Sequence, residues 1–385
     1  MELAAAFGIT RVHDLTPLGI LGTPVWAAVT PGAPDLTQHL GRGHNHTTAR
    51  ASAVFEAVER RCAESPSASQ VDGGQVSPAT QEHTFREFHF SGVQMLYFSE
   101  MPWVAATNLV NGADTHLPLD LVRSPSSFNP DLGPRAWTTG LAVGTSRLEC
   151  LWHGLCEVLE RDMLATFEVV LLYGDKPEFK PISCVHLMDA ALAAINRARE
   201  LGMQVFLFAP DIPYGLHGAI CYLADDSFPG AANTLFFAGS AVSYRWVDAA
   251  DSAILEAFQA QTAMYLAARD SFEGVTDEEL LPGPRRELDA IRRMWAGSVV
   301  ECTHGHNDGG ADTPPPYLDG IVRSTIEAAR YSGSSSVYYC DLVLDDSYSL
   351  PLRVGRVIVP GLSAPLGATP FPLGIRACSA LVMDS

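Results

Sequence analysis

One helical pattern, found at three distant places in the chain, constrains this sequence more than any other feature. Its first copy runs from Ser52 to Arg60, where Ser52, Glu56 and Glu59 fall on one face of a helix. Apolar residues at the spacing i, i+3, i+4, i+7 predict a buried stripe on the other side. That predicted stripe consists of Ala51, Val54, Phe55, Val58 and Cys62.

The second copy repeats the polar face with additional acidic residues. It carries His153, Glu157, Glu160 and Arg161, and Glu149 extends the face by one turn toward the N-terminus. Leucines and a tryptophan fill the intervening positions, which again predicts a helix with a packed side and an acidic side.

The third copy places Ser252, Glu256 and Gln259 at the same spacing. Carboxylates on adjacent turns repel each other unless a cation lies between them. Three such faces on otherwise buried helices therefore predict a site for divalent metal. The alternative is a solvated charged surface, which is the common explanation for a single Glu-x2-Glu-Arg.

The size and composition indicate a globular protein. The 385 residues are 47% hydrophobic and 18% charged, and they hold one large α/β unit or two to three smaller domains. A formal charge of −19 argues against nucleic acid or an anionic membrane as partners. Eight cysteines without a Cys-x2-Cys pair, and the absence of a signal segment or an 18-residue apolar run, predict a soluble protein of the reducing cytoplasm.

The pattern of apolar runs predicts a mixture of helices and strands without clean βαβ alternation, so we assign the fold class α/β (α+β). Residues 64–81 are rich in Ser, Ala, Gly and Gln, which predicts a loop, and 274–320 are rich in Pro and Gly, which predicts a flexible insertion. Further helices are predicted at 189–201, at 247–268 and near 288–295 and Ile326. Strands are predicted at 24–30, 95–98, 103–106, 204–208, 216–223, 233–241, 336–343 and 353–359.

Several short motifs accompany the acidic helices. Gly41-Arg42-Gly43 precedes the first one, and a turn that needs positive φ would explain these glycines as well as a binding motif would. Thr139-Gly-Leu-Ala-Val-Gly-Thr-Ser146 precedes the second, and its last two residues can cap that helix. The remaining motifs are Ala49 to Arg60, Leu155 to Asp162, Leu255 to Gln259 and Ala268-Arg-Asp270.

Together these motifs resemble the YcaO family of ATP-dependent peptide-modifying enzymes, in particular members that work beside a TfuA protein. The resemblance runs from Phe7 to Leu362, so we expect residues 1–385 to form a single YcaO domain. It implies a fold of the family's own, with mixed sheets and three acid-bearing helices around a site for ATP and magnesium. Members of the family phosphorylate a backbone amide oxygen of a ribosomally made precursor peptide and form an azoline or a thioamide.

The resemblance also assigns site residues and partners. Magnesium would be held by Glu56, Glu59, Glu157 and Glu160. A TfuA-like or ThiF-like leader-binding partner protein and a homodimer are implied as assemblies. The full set of expected ATP and magnesium positions is Arg42, Ser52, Glu56, Glu59, Glu149, Glu157, Glu160, Arg161, Glu256, Gln259 and Arg269.

The chain departs from the family pattern at a few positions. Arg42 stands where lysine is usual, Gln261 where arginine is usual, and Ser363 where glutamate is common. The C-terminus lacks the Pro-x-Pro-x-Pro ending of azoline-forming members. These departures leave a second hypothesis open, a degenerate scaffold that binds the precursor peptide or a partner protein without catalysis.

Overall fold

The computed structural model has the mixed α/β architecture that the sequence predicts. It describes residues 2–64, 71–72, 76–88, 92–125, 138–173, 184–210, 212, 215–224, 236–266, 282–295, 301–304, 318–342 and 352–362.

Ten helices lie within these described ranges. They are α1 (Glu2–Ala6), α2 (His46–Glu64), α3 (Pro78–Glu87), α4 (Gly92–Ser99), α5 (Leu119–Val122), α6 (Arg147–Tyr173), α7 (Asp189–Glu200), α8 (Trp246–Tyr265), α9 (Pro282–Trp295) and α10 (Leu318–Tyr331). The three predicted acid-bearing helices are α2, α6 and α8.

The strands are short and mostly antiparallel. They are β1 (Arg11–Asp14), β2 (Val25–Val29), β3 (Gln38–Arg42), β4 (Val71–Asp72), β5 (Trp103–Asn108), β6 (Ala113–Pro118), β7 (Leu141–Gly144), β8 (Cys184–Leu187), β9 (Gln204–Phe208), β10 (His217–Ala224), β11 (Phe236–Ser243), β12 (Glu301–His304), β13 (Tyr338–Asp341) and β14 (Arg353–Ile358).

The strands form three antiparallel sheets and one parallel pair. Two sheets have three strands each, in the orders β1-β2-β3 and β11-β10-β9, so β3 and β11 are edge strands among the described elements. The third sheet has the order β4-β5-β13-β14-β7, with β6 also paired to β5. Strand β12 pairs in parallel with β8, which joins part of the predicted 274–320 insertion to the remainder of the fold.

Two large hydrophobic cores hold the acid-bearing helices. One surrounds α6 and α8 with the β9–β11 sheet, and the other surrounds α2 with the six-stranded sheet. The buried stripe of α2 is rotated relative to the prediction: Ala49, Ala53 and Ala57 are fully buried, whereas Phe55 is 37% exposed. Small residues face inward because β3 lies directly on this helix.

Glycine makes that close approach possible. A Cβ at Gly41 would lie 2.0 Å from the backbone nitrogen of Ala53, so β3 can pack against α2 only without a side chain there. Gly239 has the same role between β11 and α8, where a Cβ would lie 2.2 Å from the carbonyl oxygen of Ala253. The first glycine of the Gly-Arg-Gly motif therefore serves strand-to-helix packing, and its φ is not positive.

Two predictions from short apolar and polar runs were wrong. Residues 95–98 belong to helix α4 and not to a strand, because an apolar run of four residues does not distinguish the two. The predicted loop at 64–81 ends in helix α3, whose first turn is capped by the Ser77 side chain accepting from the Thr80 amide. Within the described residues no helix is long and apolar enough to cross a membrane.

Candidate functional site

Each acid-bearing helix follows a strand after a short turn and carries a glutamate ten residues after its first residue. The helices begin at residues 46, 147 and 246, and the glutamates are Glu56, Glu157 and Glu256. The residues three places later are Glu59, Glu160 and Gln259. The three strand-turn-helix units thus bring equivalent positions to one place.

The polar faces of these three helices line one cavity of about 350 Å³. Its walls include all six of those residues and the guanidinium groups of Arg42, Arg60 and Arg161. The structure therefore brings together most of the predicted site, although the repeats lie far apart in the sequence.

Arg42 joins β3 to α8 across this cavity. Its Nη1 donates to Oε1 of Gln259 at 3.1 Å, and its Nη2 donates to Oε2 of Glu256 at 3.2 Å. Since an arginine has five N–H donors and a fixed planar fork, two groups of α8 do not exhaust its capacity.

Two further arginines neutralise acids on α2 and α6. Arg60 donates from Nε to Oε1 of Glu56 at 3.0 Å, and Arg161 Nη2 lies 3.7 Å from Oε1 of Glu157. The backbone N–H of Gly140 donates to the other oxygen of Glu157 at 3.1 Å, which fixes the orientation of that carboxylate.

Glu160 is oriented by the β11 strand. The hydroxyl of Ser240 donates to Oε1 of Glu160 at 2.8 Å, and the backbone N–H of the same serine donates to Glu256 at 3.4 Å. One residue of β11 therefore connects the acids of α6 and α8.

Burial and mutual repulsion shift the titration of these carboxylates. Burial raises the pKa of Glu157 to about 7, and the charge of Glu56 adds to the rise while Arg161 opposes it. Burial raises the pKa of Glu160 to about 8, with Glu256 and Glu157 adding to it against Arg161. The pKa of Glu59 is raised for the same reasons, burial first and the charges of Glu56 and Glu157 next. The carboxylates around the cavity therefore carry more negative charge, when ionised, than the arginines neutralise.

This donor set fits magnesium. Magnesium takes oxygen ligands and is bound by one or two carboxylates together with substrate phosphates and water. Among the residues that the structure describes, no group of three or more His, Cys, Asp or Glu side chains is close enough to form a ready-made cage for a metal ion. Separate carboxylates that repel each other around a cavity suit an ion that arrives with a phosphate.

Two predicted residues stand apart from this cavity, and a third cannot be placed because it lies outside the described residues. Ser52 lies on α2 and Glu149 on α6, but neither is among the described lining residues. Glu149 accepts from both the backbone and the hydroxyl of Thr145, at 2.8 and 2.6 Å, and this lowers its pKa. Together with Ser146, which accepts from the Glu149 amide at 3.2 Å, it caps the start of α6. Arg269 lies outside the described residues.

The sequence analysis missed several residues that line the cavity or hold its carboxylates. Arg60 was visible as the arginine of the first motif, and Ser240 and Gly140 occupy the strands and turns that precede the acidic helices. His39 also lines the cavity and bonds Thr30 at 2.7 Å, and burial lowers its pKa to about 4. A search for recurring strand-turn-helix units, rather than for helices alone, would have found this set.

A sequence model of one protein family matches residues 40–363, which is most of the chain, and is described as YcaO cyclodehydratase, ATP- and Mg²⁺-binding. The chain belongs to the YcaO family. The resemblance inferred from the motifs is thus confirmed, and ATP and magnesium are the cofactors of this family.

Two relatives, each described as an uncharacterised protein, match nearly the whole length of this YcaO protein. A protein of Methanothermobacter thermautotrophicus is 28% identical and covers 97% of this chain and 94% of its own length. A protein of Rhizobium leguminosarum bv. trifolii, described as lying in the tfuA 3′ region, is 27% identical and covers 97% of this chain and 88% of its own length.

Solved YcaO structures share the fold. The Methanopyrus kandleri YcaO bound with AMPPCP and Mg²⁺ superposes with a TM-score of 0.66 at 21% identity, over 94% of this chain and 88% of that one. A heterocyclase in complex with substrate and cofactor gives 0.64 at 16% identity, over 94% of this chain and 52% of that one. At these identities the likeness concerns the fold alone.

Gln261 lies away from the acidic cavity. Its side chain is fully buried, its amide nitrogen contacts only the sulfur of Met203 at 3.6 Å, and its amide oxygen has no partner among the described residues. The departure from the family pattern at this position is therefore a feature of the core, whereas Arg42 is a feature of the site.

Replacing Gln261 with methionine is expected to stabilise the protein. An unpaired buried polar group costs about 1–3 kcal/mol, so Gln261→Met should raise the free energy of unfolding by about 1 kcal/mol. Denaturant titration measures this, and calorimetry with AMPPCP and Mg²⁺ should show unchanged nucleotide affinity. A loss of affinity without a loss of stability would place Gln261 in the site after all.

The metal-free protein is expected to lose stability as the pH rises from about 6.5 to about 8. In this range the unfolded carboxylates are already ionised. The folded Glu157 and Glu160, with pKa values of about 7 and 8, still hold protons there that the unfolded state has released, so rising pH favours the unfolded state until both are ionised. His39 gives the opposite slope, but only below about pH 6.5, between its folded pKa of about 4 and its ordinary one.

Thermal unfolding followed between pH 6.5 and 8, with and without AMPPCP and Mg²⁺, measures this effect. A quarter of the Glu157 side chain remains accessible to solvent, so screening should limit the loss to the order of 1 kcal/mol per carboxylate. Bound Mg²⁺ and nucleotide should flatten the slope. A metal-free protein whose stability is constant or rises over this range would contradict the prediction.

Proposed function

We propose that this YcaO protein uses ATP to phosphorylate a backbone amide oxygen of a ribosomally made precursor peptide, so that the amide is converted into an azoline or a thioamide. The observation that supports this most directly is the convergence of Glu56, Glu59, Glu157, Glu160 and Glu256 with three arginines around one cavity.

The chemistry of the reaction calls for such a site. An amide oxygen is a poor leaving group, but once it is phosphorylated its bond to the carbon breaks readily and it leaves as part of phosphate. A Cys, Ser or Thr side chain of the substrate that attacks the carbon gives an azoline, and an external sulfide gives a thioamide. The site therefore has to hold a triphosphate in line with an amide oxygen and to neutralise its charge.

Carboxylates and arginines of the site have different roles. We assign Glu56, Glu59, Glu157 and Glu160 as the magnesium ligands, supported by their place on the facing sides of α2 and α6. Magnesium, when bound, neutralises the negative charge of the triphosphate. Arg161 lines the same cavity and is positioned to bind phosphate oxygens bidentately.

Glu256 and Gln259 hold Arg42 in place from the third helix. In this assignment Arg42 replaces the lysine of the family pattern and keeps its charge, with a longer reach and a planar fork of donors. Glu149 then supports α6 by capping its first turn.

The comparisons support a peptide substrate and a partner protein. The similar structures include the heterocyclase with substrate and cofactor and the E. coli microcin synthetase McbBCD complex, which has a TM-score of 0.57 at 15% identity and covers 93% of this chain and 92% of that one. The relative from the tfuA 3′ region supports a TfuA-like partner. The predicted homodimer remains a prediction.

A second function, a non-catalytic scaffold, is favoured by one observation. Arg42 already pairs with Glu256 and Gln259, so part of the acidic site is neutralised by the protein itself. A site closed in this way could bind a peptide or partner without using ATP.

Calorimetry with AMPPCP separates the two functions. The enzyme requires nucleotide binding that depends on Mg²⁺, whereas the scaffold predicts none even at high nucleotide concentration. Mass spectrometry of the peptide encoded nearby, after incubation with ATP, then identifies the product. A mass loss equal to one water indicates an azoline, and a gain equal to the exchange of oxygen for sulfur indicates a thioamide.

A further inference from the structure

A second cavity of about 340 Å³ lies directly beside the acidic one. The two share Leu40, Arg42, Glu256, Gln259 and Ala263, so the ion pair between Arg42 and α8 forms part of both walls. The remaining walls of the second cavity are apolar. They consist of Phe236, Phe237, Ala238, Ala260 and Met264.

Edge strands flank this second cavity. Leu40 and Arg42 belong to β3 and Phe236 to Ala238 belong to β11, and each strand has a hydrogen-bonded neighbour on only one side among the described strands. An unpaired strand edge presents backbone donors and acceptors that a further strand can satisfy. We refer to this cavity as the edge groove.

The direction of one amide shows how β11 presents its backbone. The N–H of Ser240 donates to the Glu256 side chain and so points away from its neighbour β10. In an antiparallel pair, alternate residues direct both backbone groups to the same side. Ala238 and Phe236 therefore turn their N–H and C=O groups toward the free edge.

The side chains of β11 leave this edge open. Gly239 faces α8, where a Cβ would lie 2.8 Å from the Cβ of Glu256, so the helix covers one face of the strand. Ala238 points the other way, and its small side chain is exposed. From Phe236 to Gly239, before the Ser240 amide that Glu256 already occupies, the strand extends about 10 Å at roughly 3.3 Å per residue, which is room for a paired segment of about four residues.

We propose that the edge groove binds the substrate peptide as an extended strand added to the free edge of β11, so that a peptide carbonyl reaches Arg42. This inference rests on the proposed function and specifies how its substrate binds. Backbone pairing accepts many sequences, while the apolar walls favour small or apolar side chains at alternate positions. Arg42 is placed to meet that carbonyl, because it lines both cavities and its five N–H donors exceed its two bonds to α8.

The test uses the capped heptapeptide Lys-Val-Thr-Val-Thr-Val-Lys and two modified forms, one N-methylated on its valines and the other on its threonines. An added strand uses the N–H groups of only one alternating set. One modified peptide should therefore bind at least about tenfold more weakly than the parent, because two hydrogen bonds of about 1 kcal/mol are lost, and the other should bind like the parent. Equal binding of both modified peptides, or no binding of the parent, would overturn the proposal.

The variant Ala238→Pro tests the location. Proline removes only the edge-facing N–H, which makes no hydrogen bond to β10. The strand should therefore persist, while peptide affinity falls at least about tenfold. Unfolding curves check the fold, and if the variant does not fold, the two methylated peptides on the wild-type protein still decide the question.

AMPPCP with Mg²⁺ distinguishes this inference from the proposed function. The Ala238→Pro variant should bind the nucleotide as the wild type does. Loss of nucleotide affinity in a folded variant would mean that the edge groove holds the nucleotide base, and this would overturn the peptide site but not ATP use. Peptide binding in a wild-type protein that binds no nucleotide would refute the proposed function and leave the peptide site standing.

Discussion

Replacing Glu160 with glutamine is expected to abolish peptide conversion and, at the same time, to stabilise the metal-free protein. Removing one preorganised charged group from a transition-state site costs about 10²- to 10³-fold in rate. At pH 8.5, above the pKa of about 8, the variant also removes a buried charge that the arginines do not fully neutralise. The free energy of unfolding should therefore rise by on the order of 1 kcal/mol. Glu56→Gln should abolish conversion in the same way.

Glutamine preserves the shape of the side chain and can still bond the Ser240 hydroxyl, so the fold should be intact. The matched control is Glu200→Gln on α7, which removes an exposed pair with Arg197 and should change neither conversion nor stability measurably. Mass spectrometry of the peptide and denaturant titration of the metal-free protein measure the two effects. Unchanged conversion in Glu160→Gln or in Glu56→Gln would refute the assignment of these faces as metal sites.

Replacing Gly140 with alanine is expected to cost about 3 kcal/mol or more of folding free energy. Its φ of +79° lies in the left-handed region, which costs other residues about 1–2 kcal/mol. A Cβ there would also lie 1.9 Å from the carbonyl oxygen of Val357, and overpacking costs about 1–3 kcal/mol more. Because the Gly140 amide holds Glu157, nucleotide affinity with Mg²⁺ should fall as well.

Gly202 provides a matched control for this prediction. Its φ is also +79°, but a Cβ there would meet nothing within 4 Å. Gly202→Ala should therefore show the cost of the backbone conformation alone, about 1–2 kcal/mol, and normal nucleotide affinity. Equal unfolding free energies for the two variants would show that the contact between Gly140 and β14 does not constrain the site.

Much of the site followed from helical periodicity, because residues three and four apart share a face whatever the tertiary structure. The pairs Glu56 and Glu59, Glu157 and Glu160, and Glu256 and Gln259 all line the cavity. Periodicity could not show which side of α2 is buried, since that depends on β3 approaching over Gly41. It also could not show that Glu149 caps its own helix, because a capping glutamate and a ligand have the same sequence pattern.

The sequence by itself determined the family, the mixed fold and the three acidic faces, since these depend on local spacing and on motifs. Only the tertiary structure decided which charges meet. Arg42 and Gln259 are 217 positions apart and bond at 3.1 Å, a pairing that no local pattern encodes. The tertiary structure likewise placed Gln261 in the core and, beside the acidic cavity, two strand edges with which no described strand pairs. The physical reason is that side-chain contacts and sheet edges depend on how distant segments pack, whereas helical faces are fixed by the chain's own geometry.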